Sequence, residues 1–286
     1  MSSNSFPRIS IVTPSYNQGQ FLDKTIQSVL TQDYPNVEYI VIDGGSTDSS
    51  VEIIHKYADR LAYWVSEKDK GQSDAINKGF RRATGTILAW LNSDDLYCPG
   101  ALSRAAQFFR GHPACGAVIG DLGFIDNDGR AMYVKKAVPV NFRRTLYSGC
   151  AVPEPAAFYT RGAWEATGDL DVGLHYLLDY EYFLRMQARG VRFGLVKAPL
   201  AQFRLHADSK TVSEYQRSFW ADFGRVQDRY LKTPFHGTSR EYYRQAMKWL
   251  YRLQIYLLRA VTRGTIVPFR GTRARKRALR GAHPDS

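Results

Sequence analysis

Ala89-Trp90-Leu91-Asn92-Ser93-Asp94-Asp95 is the stretch that decides how this chain is read. The apolar run Ile87–Leu91 begins just after Gly85 and stops at a polar cluster, the pattern of a short buried strand. An Asn and two carboxylates stand where that strand runs out. In an open α/β sheet, ligands gather beyond the carboxyl ends of the strands. Adjacent acidic oxygens there suit a hard divalent cation, and such a cation suits a substrate phosphate. Taken alone, Ser93-Asp94-Asp95 also fits the cap of a helix starting near Pro99, which is how most short Ser/Asp runs behave.

Toward the N-terminus the same strand-then-polar pattern repeats. Ile9-Ser10-Ile11-Val12-Thr13 is β-rich and ended by Pro14, and Val37–Ile42 ends at Asp43-Gly44-Gly45-Ser46-Thr47-Asp48. A shorter strand, Leu61–Val65, precedes Glu67-Lys68-Asp69-Lys70-Gly71. Between them, Phe21, Leu22, Ile26, Val29 and Leu30 recur at helical spacing. A second helix begins near Val51, with Thr47 or Asp48 as its cap, and a third spans Gln72–Ala83. Such alternation predicts βαβ units and a mainly parallel sheet. The polar clusters at 13–17, 43–48, 69–74 and 92–95 each follow a strand and should converge on one edge. No GxGxxG follows a strand and no GxxxxGK[ST] loop occurs, so neither a dinucleotide fingerprint nor a P-loop is present.

The second half is less regular. Pro99–Phe109 reads as a helix, Gly116–Gly120 as a strand and Asp126-Asn127-Asp128-Gly129 as a hairpin turn. Pro153-Glu154-Pro155 interrupts before Ala156–Tyr159. A loop at 168–174 leads to a helix with Leu178, Tyr182, Phe183 and Met186, ended by Gly190. Asp179 and Glu181 lie in its first turn, where either dipole complementation or chemistry explains an acid. His206 follows the strand end Phe203-Arg204-Leu205; a lone His of this kind is more often structural than a ligand.

At 286 residues, 44% hydrophobic and 23% charged, the composition is that of a soluble globular protein of one large or two small domains. Nothing near Met1 resembles a signal peptide, and the longest apolar run, Trp249–Leu258, is broken by Arg252 and Gln254. Cys98, Cys115 and Cys150 are odd in number and in no metal spacing, which suits a reducing cytoplasm. The net charge of +12 is concentrated at one end. Between Tyr242 and Pro284 there are eleven Lys and Arg and no Asp or Glu, leaving roughly +1 for everything else.

The motifs Ile11-Val12-Thr13-Pro14-Ser15-Tyr16-Asn17, Asp43–Asp48, Asp69-Lys70-Gly71 through Asn77-Lys78-Gly79, Leu91–Asp95 and Leu178-Asp179-Tyr180-Glu181 stand in one order and spacing. In this the chain resembles the family 2 glycosyltransferases over about residues 7 to 210. The resemblance implies the α/β GT-A fold, a mainly parallel Rossmann-like sheet flanked by helices. The chain then divides into a GT-A domain at 1–235 and, from its charge and helical periodicity, a basic, amphipathic helical tail at 236–286. Within the domain, residues to about 98 would bind the nucleotide sugar, and 99–235 would supply acceptor and catalytic groups. It also implies a nucleotide-sugar donor, inversion at the anomeric carbon and a divalent metal, Mg or Mn.

By position, Thr13 and Tyr16 would line the base and ribose pocket and Asp43 would bind the nucleoside. Asn92-Ser93-Asp94 occupies the family's DxD, with Asp94 as metal ligand through the diphosphate. Asp95 and Glu154 join the substrate contacts, Asp179 takes the place of the catalytic base, and His206 that of a diphosphate or metal contact. Two departures stand out. Asn92 replaces the first Asp of the DxD, which removes a charge from the metal's surroundings. Ala75-Ile76-Asn77 lacks the common Arg, so Asp74, one turn away, is the candidate polar contact there and the base is left open.

The chemistry is coherent. An acceptor hydroxyl needs a carboxylate to take its proton, and a leaving nucleoside diphosphate needs a cation to offset its charge. A nucleotidyltransferase would share the sheet but wants a Gly-rich basic loop after the first strand, which 13–17 lacks. A degenerate donor-binding module is supported by Asn92 alone and opposed by Asp179.

On a helix, Arg244, Lys248, Arg252, Arg259 and Arg263 fall within an arc of about 100°, with Leu250, Leu253, Leu257 and Val261 on another side. That pattern, with Arg273–Arg280 beyond it, suits an anionic membrane surface carrying a sugar or lipid-linked saccharide acceptor. The alternative is a helix packed on the domain with a solvated basic face. Nucleic acid is not expected, because no binding module accompanies the charge. The expected location is the cytoplasm or the inner face of the cell membrane.

Overall fold

The polar strand ends meet because the first four strands run parallel and in register. The computed structural model describes residues 6–149, 152–174, 176–206, 217–231 and 237–263. Strand β1 (Ile9–Ser15) lies between β2 (Val37–Asp43) and β4 (Ile87–Trp90), with β3 (Tyr63–Ser66) outside β2, every pair parallel. Ser15 pairs with Asp43 and Asp43 with Ser66, so the carboxyl ends of β1, β2 and β3 form one edge. The Leu91 amide donates to the Val12 carbonyl and brings the end of β4 to the same edge.

The remaining strands are β5 (Leu96–Tyr97), β6 (Ala117–Ile125), β7 (Ala131–Lys135), β8 (Ala157–Thr160) and β9 (Phe193–Arg204). The order is β3-β2-β1-β4-β8-β6-β9-β5, with β7 hairpinned onto β6. Here the pairing is mixed: β8 is antiparallel to β4 and β6, β9 is parallel to β6, and β5 is antiparallel to β9. The parallel expectation therefore describes the first half. β9 carries Pro199 within it, and the register against β6 shifts beside that residue, as a proline without an N–H requires.

Helices α1 (Gly19–Leu30), α2 (Ser50–Lys56) and α4 (Ala101–Gly111) cover one face; α3 (Gln72–Arg82), α6 (Arg161–Thr167) and α7 (Leu178–Ala188) cover the other. Alternation along the strands divides the core accordingly. Ile9, Ile11, Tyr39 and Val41 pack with Leu22, Ile26 and Leu102, whereas Val12, Ile40 and Ile42 pack with Ile76, Phe80 and Phe183. α3 lies directly on β1, since a Cβ at Gly79 would come 2.3 Å from Val12 Cγ1. A third core joins α5 (Phe142–Ser148) and α7 to α8 (Arg217–Tyr230) and α9 (Gly237–Arg263), through Leu146, Tyr147, Tyr180, Phe223 and Val226.

Two capping expectations are corrected. Ser93-Asp94-Asp95 caps no helix: β5 follows it, and α4 starts from Gly100 without a side-chain cap. Asp48 does not close α2 as its N-cap, which is Ser49. Its carboxylate instead accepts from the Ser50 and Gly19 amides and ties α2 to α1.

Candidate active site

Asp43 is fully buried at the end of β2, where its charge is met by its own loop. Oδ2 accepts from the amides of Gly45 (3.1 Å) and Ser46 (2.8 Å) and from Ser66 Oγ (2.7 Å), and Oδ1 accepts from Ser46 Oγ (2.6 Å). Thr13 is likewise interior, its hydroxyl 3.0 Å from the Tyr39 hydroxyl. Tyr16, in the loop after β1, is 62% exposed beside Asn17, which has φ 50°. Of the three side chains expected around a nucleoside, Thr13 is tied to β2 through Tyr39, Asp43 holds the loop that follows it, and Tyr16 is exposed. Asp74 accepts from the Lys70 amide at 3.1 Å and lies 3.7 Å from Lys78 Nζ, so it closes the first turn of α3.

At the end of β4 the departure from the family motif has a structural consequence. Asn92 Oδ1 accepts from Gln72 Nε2 at 2.7 Å, while Nδ2 donates to Glu154 Oε2 (3.0 Å) and Asp95 Oδ2 (3.3 Å). An aspartate in this place would have no proton for either carboxylate. Asp95 is fully buried; Oδ1 accepts from the Arg204 amide at 3.0 Å, and Thr25 Oγ1 donates to the carbonyls of Ser93 and Asp95. Burial first, then the neighbouring Asp94 charge, push the Asp95 carboxyl well above the usual range. Glu154 is raised well above it too, by burial and then by Asp95 and Asp179. Its Oε1 is buried with no hydrogen-bond partner among the described residues.

Asp94 retains contact with solvent, its side chain 19% exposed, and Oδ2 lies 3.0 Å from Nε2 of the buried His206. The structure therefore joins the two residues expected to touch a metal, 112 positions apart in sequence. The His206 ring rests on Phe21, with centroids 4.6 Å apart. Arg204 fixes this corner. Fully buried, it donates through Nε to the Asp94 carbonyl and through Nη1 to the carbonyls of Asp126 and Asn127. Its guanidinium lies 4.8 Å from the Phe21 ring centroid. The Ser209-Lys210-Thr211 loop lies outside the described residues.

Among the described residues, no group of three or more His, Cys, Asp or Glu side chains converges as a closed metal cage. Asp94 and His206 still fit a divalent cation that takes its other ligands from a diphosphate and water. Magnesium-like sites commonly use one or two protein carboxylates with substrate phosphates.

Asp179 and Glu181, two residues apart on α7, have separate roles. Glu181 is buried and pairs with Arg185 (3.0 Å), whose guanidinium also binds the carbonyls of Thr167 and Asp169. Glu181 is thus a structural ion pair. Asp179 is half-buried, no cation is bonded to it among the described residues, and Oδ1 accepts from the Tyr180 amide at 2.7 Å. Burial pushes its carboxyl up to about 6, opposed by that amide and more distantly by Lys135. The loop before α7 is pinned to α3 by Asn77, which exchanges two hydrogen bonds with the Leu170 backbone. A shallow surface depression lies alongside, lined by Lys70–Ser73, Val172, Leu174 and Leu178.

Gln72 and Arg204 were not singled out by sequence, and Asn77 stood in a motif without a role of its own. A buried Arg within Phe203-Arg204-Leu205-His206 looks like any strand-end cation, and Gln72 looks like the first residue of an amphipathic helix. Cys98 and Cys115 are free thiols, and Cys150 lies outside the described residues.

Parallel strands with acidic residues at their shared edge, extended by a mixed sheet and flanked by helices, form the α/β architecture of the GT-A fold. The profile of glycosyl transferase family 2 matches residues 10–162, more than half of the chain, and the chain belongs to that family. An uncharacterised glycosyltransferase of Mycobacterium tuberculosis strain H37Rv is 30% identical over 238 residues, covering 82% of this chain and 88% of the relative. One from Rickettsia typhi is 27% identical over 245 residues, covering 78% and 74%. Among solved structures, S. aureus TarS 1–349 in complex with UDP-GlcNAc superposes with TM-score 0.63 at 16% identity, covering 95% of this chain and 79% of that one. The mannosyltransferase PcManGT from Pyrobaculum calidifontis, in complex with GDP-Man and Mn2+, gives 0.61 at 17%, covering 96% and 81%. At these identities the structural likeness establishes the fold.

Proposed function

We propose that this glycosyltransferase moves a sugar from a nucleoside-diphosphate sugar to an acceptor hydroxyl with inversion, in the synthesis of a surface polysaccharide or glycolipid. The observation that carries the reading is Asp179: a half-buried carboxyl with no cation bonded to it among the described residues and a pKa pushed up to about 6. A base poised near neutrality serves proton transfer best. Glu154 links the two parts of the site, bonded to Asn92 on one side and electrostatically coupled to Asp179 on the other.

In this reading the donor diphosphate lies along the Asn92–Asp95 edge and its nucleoside against Tyr16. Thr13 contributes by tying β1 to β2 beneath the nucleoside, Asp43 by holding the loop that receives it, Asp74 by fixing the start of α3, and Asp95 by supporting the backbone beneath Asp94. Asp94 and His206 would hold a divalent cation, Mg or Mn, which when bound offsets charge on the departing diphosphate. The acceptor oxygen attacks the anomeric carbon while Asp179 takes its proton. The bond from that carbon to the diphosphate oxygen breaks, and the nucleoside diphosphate leaves with the electron pair. One displacement inverts the configuration.

The relatives of known structure named above bind UDP-GlcNAc and GDP-Man, so the donor belongs among such nucleotide sugars. The acceptor is a sugar or a lipid-linked saccharide, and the C-terminal basic segment serves an anionic membrane surface, inside the cell. The test is the anomeric configuration of the product by NMR: the linkage should be opposite to that of the donor, and retention would refute a single displacement at Asp179.

A further inference from the structure

Helix α9 has three distinct sides, and sequence periodicity alone does not say which of its two apolar sides meets the protein. Tyr243, Met247 and Tyr251 pack against the body of the protein, with Tyr251 stacked on Tyr147 at 5.4 Å between ring centroids. Gln254 extends this attachment through its bonds to Arg144. A second side carries Arg244, Lys248 and Arg252, of which Arg244 is ion-paired with Asp228. The third side is Tyr242, Ala246, Trp249, Leu250, Leu253, Leu257 and Val261, and every one of these is exposed. Trp249 is 63% exposed, Leu253 55% and Val261 83%.

At about 100° per residue the third side fills an arc of roughly 120°, and its length is about 29 Å. Isolated exposed apolar residues are ordinary, but a continuous stripe along five helical turns marks a contact surface. No helix among the described residues is long and apolar enough to cross a membrane, so this surface can lie on a bilayer without any helix spanning it. Its neighbours choose the occupant. The basic side flanks it, the chain from Tyr242 to Pro284 contains no acid, and six further Lys and Arg follow Arg263. A hydrophobic protein partner requires no such charge, whereas an anionic lipid surface attracts it.

We infer that the stripe Tyr242–Val261 is an interfacial face that lies in the headgroup region of an anionic phospholipid bilayer, while Tyr243, Met247 and Tyr251 hold the catalytic domain against it. This deepens the membrane reading above by naming the face, and it does not depend on the transfer chemistry.

The test uses the whole protein with vesicles of phosphatidylcholine containing phosphatidylglycerol, and with vesicles of phosphatidylcholine alone, in the absence of donor and acceptor. Wild-type protein should sediment with the anionic vesicles at least about tenfold more strongly than with the neutral ones. Leu253→Glu with Leu257→Glu should lose at least about tenfold of that binding. Both positions are solvent-exposed, so the thermal midpoint should hold, and nucleoside diphosphate release without vesicles should be unchanged. Trp249 emission, taken as the difference from Trp249→Phe, should shift to the blue on adding anionic vesicles. Wild-type-like binding by the double variant, equal binding to neutral vesicles, or an unshifted Trp249 would overturn the inference. So would a wild-type dimer in sedimentation that the double variant makes monomeric, since the stripe would then belong to a second copy of the chain.

Discussion

Replacing Asp179 by Asn separates chemistry from stability. In the unfolded chain this carboxyl titrates near 3.8, whereas burial in the folded protein raises it to about 6. A raised carboxylate contributes stability that is full below the unfolded value and is lost as pH climbs through the folded value. At pH 7 the loss is complete, and at about 1.4 kcal/mol per pH unit it is roughly 3 kcal/mol. Solvent still reaches part of the carboxyl, which reduces the figure to about 1–2 kcal/mol. Asn retains an oxygen for the Tyr180 amide and carries no charge, so the variant should recover that amount. The melting temperature at pH 7 should rise by about 2–6 °C, with the gain vanishing below pH 4. Sugar transfer should fall about a hundred- to ten-thousandfold, because the proton acceptor is gone. Donor affinity, measured by calorimetry with nucleotide sugar and Mn2+, should stay nearly constant. Loss of donor affinity equal to the loss of rate would refute Asp179 as base, and a lowered melting temperature would refute the burial argument.

Other outcomes follow from the same contacts. In wild-type enzyme, kcat/KM should climb about tenfold per pH unit below 6 and level off above it, since only ionised Asp179 accepts a proton; a profile flat from pH 5 to 7 would count against the assignment. Glu181→Gln should lower stability by about 3 kcal/mol through the stranded Arg185, seen in urea denaturation; unchanged stability would show the pair to be unimportant. Asn92→Asp removes both donors from Asp95 and Glu154 and adds a like charge, so it should cost about 1–3 kcal/mol; a melting temperature equal to or above the wild type would contradict that. Gly79→Ala should cost about 1–3 kcal/mol by pressing a methyl into Val12, and a neutral result would mean that α3 can lift from β1.

The first half of the fold was legible because each parallel strand is a short apolar run leading into a polar cluster, and register then brings those clusters to one edge; Pro14 does not end β1 as its sequence suggests, since the strand pairs through it to Ser15. The second half was less so. β5 is two residues long, too short for any periodicity, and β9 runs through Pro199, a residue that argues against a strand. Within the site, Asp94 and Asp179 were reached through motif order, and local chemistry alone left Asp179 no better placed than Glu181. Only burial and Arg185 separate them. The role of Arg204 depends on carbonyls from the β6–β7 hairpin, which no local pattern reports. In α9 both Tyr243-Met247-Tyr251 and Leu250-Leu253-Leu257 are apolar at helical spacing, so docking side and exposed side emerge only from packing.

The most direct test of the central claim is nucleoside diphosphate release across a panel of nucleotide sugars, with Mg2+, Mn2+ or chelator, for wild type and Asp94→Ala. One donor should give saturable, cation-dependent release that Asp94→Ala abolishes. Release from no donor, or release by Asp94→Ala with an unchanged cation titration, would contradict the placement of the donor diphosphate at Asn92-Ser93-Asp94-Asp95.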